Sequence, residues 1–221
     1  MYAETEEYQH SVAVLNANIE EAFRKYSRPY VAYSGGKDSL VMAHVILKHF
    51  PGTLVFHWDY GKYYMPRELE HEVMSIARQI GAANIRIDTT PIYNIKKRTA
   101  EGVLGSILYG RVLKELRKEG YDLGFVGLRA QESCKRALRT KYLFEHDKIM
   151  DNCFPVRHMS TRDIWSYIVA NGLPYCSHYD LYGELQGLEN VRFCTFFDPE
   201  FDKFGNSNID GLLMTEFKNY E

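Results

Sequence analysis

Apolar residues near the start of the chain recur at steps of three and four: Val12, Leu15, Ile19, Phe23 and Tyr26. That spacing lines one face of a helix, and Pro29 is read as its end. The period then changes. Tyr30–Tyr33 is a short apolar run of strand type, followed by the polar loop SGGKDS (34–39) and a helix from about Asp38 to Phe50. Pro51-Gly52 marks a turn, and TLVFHWD (53–59) reads as a buried strand. Pro66 can open the next helix at its first turn. Leu69, Val73, Ile76, Ala77 and Ile80 supply that helix's core face, and Gly81 stops it. NIRIDTT (84–90) and DLGFVGL (122–128) are a third and a fourth strand; between them, residues 92–119 hold helical periodicity broken by Gly102, Gly105 and Gly110. FPVRHMS leads into the helix TRDIWSYIVA, opened by Ser160 or Thr161 and stopped at Asn171-Gly172, with Pro174 beyond.

Strands that alternate with helices predict an α/β fold: an open parallel sheet of about five strands with helices on both faces. In such sheets ligands sit beyond the carboxyl ends of the strands. The ends of strands one, two and four carry SGGKDS, HWDYGK and GLRAQESCKR, so the three most polar segments converge on one edge. The segment from Phe196 onward is rich in turn residues and reads as a lid or an interface.

Composition narrows the classes. The chain has 221 residues, 27 Lys plus Arg against 29 Asp plus Glu, and a net charge of −2. General affinity for nucleic acid is therefore not expected, and any basic site must be local. No apolar run approaches the roughly 18 residues of a membrane span, and the acidic start MYAETEEYQH lacks a signal-peptide layout. A cytoplasmic protein is expected. The four cysteines, Cys134, Cys153, Cys176 and Cys194, form no CxxC pair and read as free thiols.

The glycine loop has a definite chemistry. Gly35 and Gly36 permit close backbone approach, successive N–H groups can form an anion nest, and the following helix adds its positive end. Ser34 and Ser39 offer hydroxyls, and Lys37 a full charge. This is a cradle for pyrophosphate. It is neither a GxxxxGK[ST] loop nor GxGxxG, because Asp38 follows the lysine and position 31 is Val. A carboxylate there repels phosphate unless it caps the helix or meets magnesium. The plainer alternative is a glycine turn with a helix cap.

A second cluster places Arg129, Lys135, Arg136, Arg139 and Lys141 within thirteen residues. A guanidinium grips two oxygens of a phosphate or sulfate, and Arg129, directly after a strand, is the best placed. Glu132 either caps the following turn or orients Arg129. Arg139 and Lys141 read as a solvated face. Asp59 suits either a ribose or base contact or a plain turn. His57 and Trp58 read as packing residues, and Arg157 and His158 could reach the same edge.

SGGKDS resembles the phosphate motif of the N-type (PP-loop) ATP pyrophosphatases. Within them the likeness is to the phosphoadenylyl-sulfate reductase family. HWDYGKYYMPRELE, GLRAQESCKR and FPVRHMSTRDIWSYIVANGLPYCSHYD are similar to further motifs of that family, and the likeness covers roughly residues 28–196. It implies the adenine nucleotide alpha hydrolase-like (HUP) fold, with an N-terminal helix (1–28), a PP-loop nucleotide-binding domain (29–196) and a C-terminal tail or lid (197–221). It also implies a nucleotide site drawn from Tyr33, Ser34, Gly35, Gly36, Lys37, Asp38, Ser39, Asp59, Gly127, Arg129, Glu132 and Arg136. Lys37 and Arg129 would be catalytic, and Asp38 a metal ligand.

The ligand implied is ATP or phosphoadenylyl sulfate, with Mg2+. Reductases of the family carry a cysteine near the C-terminus, whereas this tail reads LLMTEFKNYE. An iron–sulfur cluster is not expected, since its adjacent cysteines and CxxC are missing. Cys134, among Lys135, Arg136 and Arg139, has the one electrostatic case for a reactive thiol. The small subunit of sulfate adenylyltransferase fits without a tail cysteine; it exchanges the pyrophosphate of ATP for sulfate and works with a GTPase partner. Three readings follow: ATP α/β-phosphate chemistry releasing pyrophosphate in sulfur metabolism or modification; a reductase releasing sulfite; or a nucleotide-binding module without chemistry. A homo-oligomer or a partner subunit is compatible with each, and nucleic acid enters only as an acceptor substrate.

Overall fold

The computed structural model describes residues 2–59, 66–89, 110–188 and 191. Six strands, β1 (Pro29–Ala32), β2 (Leu54–Asp59), β3 (Ile85–Thr89), β4 (Leu123–Val126), β5 (Phe144–Glu145) and β6 (Asp151–Cys153), form one sheet in the order β3-β2-β1-β4-β6-β5. Five of them run parallel, and β5 is an antiparallel edge on β6. The expected five-stranded parallel sheet is thus present, with one short strand added. The first four strands fall where the apolar runs place them. β6 and β5 have no sequence signal of their own, because two or three residues are too few to show a period.

Seven α-helices accompany the sheet among the described residues: α1 (Glu6–Lys25), α2 (Lys37–His49), α3 (Arg67–Gln79), α4 (Leu113–Lys118), α5 (Cys134–Arg139), α6 (Thr161–Ala170) and α7 (His178–Gln186). Local chemistry sets their ends. Thr5 caps α1 by accepting the Tyr8 amide, Glu6 and Glu7 lie at its positive end, and Arg24 and Lys25 at its negative end. The helix stops at Lys25, before Pro29, which instead opens β1. α6 begins in a capping box, with Ser160 accepting the Asp163 amide and Asp163 accepting that of Ser160.

Side chains alternate across the strands and divide the core in two. Val31, Val55, Phe125 and Cys153 face a large cluster with Leu15 and Ile19 of α1, the apolar face of α2, Val73 and Ile76 of α3, Ile164 of α6, and Tyr179 and Tyr182 of α7. Tyr30, Leu54, Phe56 and Trp58 face the other side, with Val112, Leu116 of α4, Tyr121 and Met150. α1 packs within the same cluster as the sheet, and Phe23 stacks on Phe50 with ring centroids 3.6 Å apart.

The strand order reverses at β1, which pairs with β2 on one side and β4 on the other. Loops leaving β1 and β4 therefore diverge to opposite sides and leave a crevice at their carboxyl ends. Leu15 is fully buried where α1 meets this core. Leu15→Ala should lower unfolding free energy by about 3 kcal/mol, read as a shift of the urea midpoint.

Candidate functional site

The loop after β1 depends on two glycines for different reasons. Gly35 has φ +83°, in the left-handed region, and a Cβ there would lie 2.6 Å from Val73 Cγ2 on α3. Gly127, after β4, has no room on its Cα: a Cβ would sit 2.9 Å from the Ser39 backbone nitrogen. The β4 loop and the first turn of α2 thus pack backbone to backbone. Gly36, by contrast, has φ −70° and ψ 152° and caps α2 in a conformation open to any residue.

The two serines hold the loop. Their hydroxyls lie 3.1 Å apart, Ser39 Oγ donates to the Gly36 carbonyl at 2.9 Å, and the Gly36 amide approaches Ser34 Oγ at 3.4 Å. The Lys37 amide donates to the Tyr179 hydroxyl at 2.9 Å. In the first turn of α2 the Asp38 and Ser39 amides have no intrahelical acceptor, and the Ser39 amide lies beside the Gly127 loop.

Lys37, Asp38 and Arg129 form a buried trio, 2%, 9% and 2% exposed. Arg129 Nε donates to Asp38 Oδ1 at 2.6 Å, and Lys37 Nζ lies 3.5 Å from Asp38 Oδ2. Arg129 Nη1 also reaches the Met159 carbonyl at 3.4 Å, while Lys37 Nζ reaches that of Val191 at 3.4 Å. Burial pushes the Lys37 ammonium below the ordinary lysine value, against the pull of Asp38. With Lys37 protonated, two cations flank one carboxylate. That excess favours an anion at the crevice.

The remaining expected residues are distributed as follows. Glu132 caps the turn Ala130–Glu132 by accepting the Arg129 amide at 3.1 Å, and ion-pairs with Arg136 at 2.5 Å. Burial alone would raise the Glu132 carboxyl; the Arg136 and Arg129 guanidiniums and the Arg129 amide outweigh it and hold it below the usual carboxylate range. Asp59 meets Arg67 through two hydrogen bonds of 2.8 Å. Tyr33 is buried, and its amide donates to the Phe56 carbonyl at 2.8 Å. Arg139 pairs with Glu145 at 2.8 Å. Arg157 donates to the carbonyls of Thr140 and Lys141, and His158 contacts the Ser11 carbonyl, so both serve the local fold.

Tyr179 and Val191 were not singled out from the sequence. Tyr179 lies in the HYD run of a motif-bearing segment, but a hydroxyl meeting an amide 142 positions away leaves no local trace. Among the thiols, Cys134 is exposed, while Cys153 and Cys176 are buried; burial pushes both buried thiols well above the ordinary cysteine value. Cys194 and the tail from 197 lie outside the described residues.

The described residues do not fit a magnesium ion held by protein ligands. Asp38 has one oxygen on Arg129 and the other facing Lys37. Among the described residues no three His, Cys, Asp or Glu side chains converge. Nor, among them, is any helix long and apolar enough to cross a membrane.

An open α/β sheet with a glycine loop and a buried cationic trio at its switch point defines an α/β nucleotide-binding type of protein. The chain belongs to the phosphoadenosine phosphosulfate reductase domain family, whose model matches residues 28–185. It is 26% identical to sulfate adenylyltransferase subunit 2 of Stutzerimonas stutzeri, over 82% of this chain and 72% of that one. In fold it is similar to the phosphoadenylyl-sulfate reductase of Candida auris in its phosphate complex, with TM-score 0.54 and 16% identity over 76% of this chain and 84% of that one. It is also similar to the FMN adenylyltransferase of Candida glabrata with FAD and inorganic pyrophosphate, with TM-score 0.58 and 14% identity over 78% and 60%.

Two outcomes follow from this geometry. Arg129→Met leaves Asp38 buried with only the more distant Lys37, and should cost about 3 kcal/mol in urea unfolding; the double variant Arg129→Met, Asp38→Leu should recover most of it. His178 is buried, and burial followed by the nearby Lys37 lowers its pKa to about 3. A base depressed in the folded state binds protons on unfolding, so stability is full above the unfolded value near 6.5 and falls as pH drops toward 3. From pH 7 to 5 the loss should be about 2 kcal/mol, and His178→Gln should remove that share of the urea-midpoint shift.

Proposed function

We propose that the protein is an adenylyltransferase of sulfur metabolism that cleaves ATP between its α and β phosphates and transfers the adenylyl group to sulfate. The observation that carries this reading is the SGGKDS loop at the switch point, backed by Lys37 and Arg129 on either side of Asp38. The family and the likeness to sulfate adenylyltransferase subunit 2 support it. That relative's name also supports a partner subunit for this chain. Tyr33, Ser34 to Ser39, Asp59, Gly127, Arg129, Glu132 and Arg136 are its proposed nucleotide site.

In the reaction a sulfate oxygen attacks the α-phosphorus. The S–O–P link forms as the bond from that phosphorus to the bridging oxygen breaks, and the electron pair leaves with pyrophosphate. First-turn amides of α2 and the positive excess of Lys37 and Arg129 stabilise the charge gathering on the leaving group. Arg129 does so through its place behind Asp38.

Reduction of a sulfonucleotide needs an accessible thiolate; Cys153 and Cys176 are buried, and the exposed Cys134 is the described thiol that could serve. Sulfate transfer is preferred to sulfite release on the likeness to sulfate adenylyltransferase subunit 2.

The test uses ATP labelled at the α-phosphate, with sulfate, and the chain together with any subunit that copurifies with it. The expected products are labelled adenylyl sulfate and pyrophosphate. Lys37→Met should cut pyrophosphate release at least about 100-fold with its circular-dichroism spectrum unchanged. Release of ADP instead, undiminished release by Lys37→Met, or sulfite formation lost on replacing the cysteines would each overturn the proposal.

A further inference from the structure

A buried polar pair on the α3 side of β2 has no part in the trio described above. His57 and Glu70 are 2% and 5% exposed. We infer that they are positioning residues for the phosphate loop, fixing the carbonyl of Tyr33 where β1 ends; the inference rests on the nucleotide reading above.

His57 Nδ1 lies 2.7 Å from the Tyr33 carbonyl oxygen. A carbonyl only accepts, so Nδ1 carries a hydrogen. On the other side of the ring, Nε2 lies 2.7 Å from Glu70 Oε1, at ion-pair distance though out of line for a hydrogen bond. A hydrogen on Nε2 or on Glu70 relieves the contact at that distance, and in either arrangement Nδ1 remains the donor to Tyr33. Glu70 in this way backs the ring against the Tyr33 carbonyl.

Tyr33 is then pinned by both of its backbone groups to one strand. Its amide donates to the Phe56 carbonyl at 2.8 Å, and its carbonyl accepts from the next residue's side chain. Ser34 follows immediately, with its amide 3.3 Å from Ser39 Oγ, and from there the serine network shapes Gly35 and Gly36. A rotation at the Tyr33 peptide would carry directly into the cradle. Two buried polar side chains cost free energy that an apolar pair of the same shape would not. The return on that cost is a fixed exit from β1.

The test compares His57→Asn with His57→Gln. An asparagine amide nitrogen stands at the distance of Nδ1 from the backbone and keeps the bond to Tyr33; a glutamine nitrogen stands at the distance of Nε2 and does not. Both should lower the urea midpoint alike. The Asn variant should bind ATP within about threefold of wild type by calorimetry, and the Gln variant at least about tenfold more weakly. In nucleotide-free protein the Gly35 and Gly36 amide resonances should move in the Gln variant alone. Equal losses in the two variants, or none in either, would sink the inference.

If wild type itself fails to bind ATP, the nucleotide reading falls, and the two glycine resonances still decide whether the pair positions the loop. If neither variant folds, the wild-type imidazole spectrum decides: Nδ1 should be protonated and coupled across its hydrogen bond to the Tyr33 carbonyl, and an unprotonated Nδ1 overturns the inference.

Discussion

The hydrogen bond from Arg129 to Asp38 joins the two loops that leave the sheet in opposite directions. Asp38 belongs to the first turn of α2, and Arg129 to the segment after β4. Without that bond the carboxylate at the loop's end would be buried opposite a single, more distant ammonium, and the arginine would keep neutral hydrogen-bond partners, with Glu132 as its nearby charge. An ion pair removed from water gives up much hydration, and recovers it only when its geometry and surrounding hydrogen bonds are good. Here the surroundings are supplied by the Met159 carbonyl, Gln131 and the lysine next along the helix. This cross-link ties the segment after β4 to the first turn of α2, across the crevice that the strand order opens.

The close approach at Gly127 depends on it in the same way. Backbone packed on backbone has little dispersion energy to hold it and no side chain to adjust. It persists because a charged contact on one side and the serine network on the other clamp the two segments. The sequence GLR after β4 then carries two requirements: no side chain at 127 and a guanidinium at 129.

Much of this was legible in the chain itself. The switch from a three-to-four-residue period to short apolar runs located β1 to β4, and SGGKDS between a strand and a helix stood out because glycine, lysine and two hydroxyls make little sense in a plain turn. What stayed hidden was long-range. The sequence suggested that Lys37 and Arg129 face a ligand; it could not show that Asp38 stands between them, since the arginine lies 91 positions downstream. Asp59 looked free for a ribose until α3 brought Arg67 against it. His57 looked like packing because burial and hydrogen bonding are indistinguishable in a strand's alternation. The short strands β5 and β6 and the helix α5, which buries no residue, have no pattern to read.

The hydroxyl of Tyr179 reaching back to the amide of Lys37 has a consequence for biosynthesis. A ribosome emits the glycine loop first, and the tyrosine that fastens it appears only 142 residues later. Distant contacts of this kind slow folding because a long chain must close before they reward it. The nascent polypeptide can assemble its first strands and helices in order, but it holds an unfinished cradle until α7 arrives.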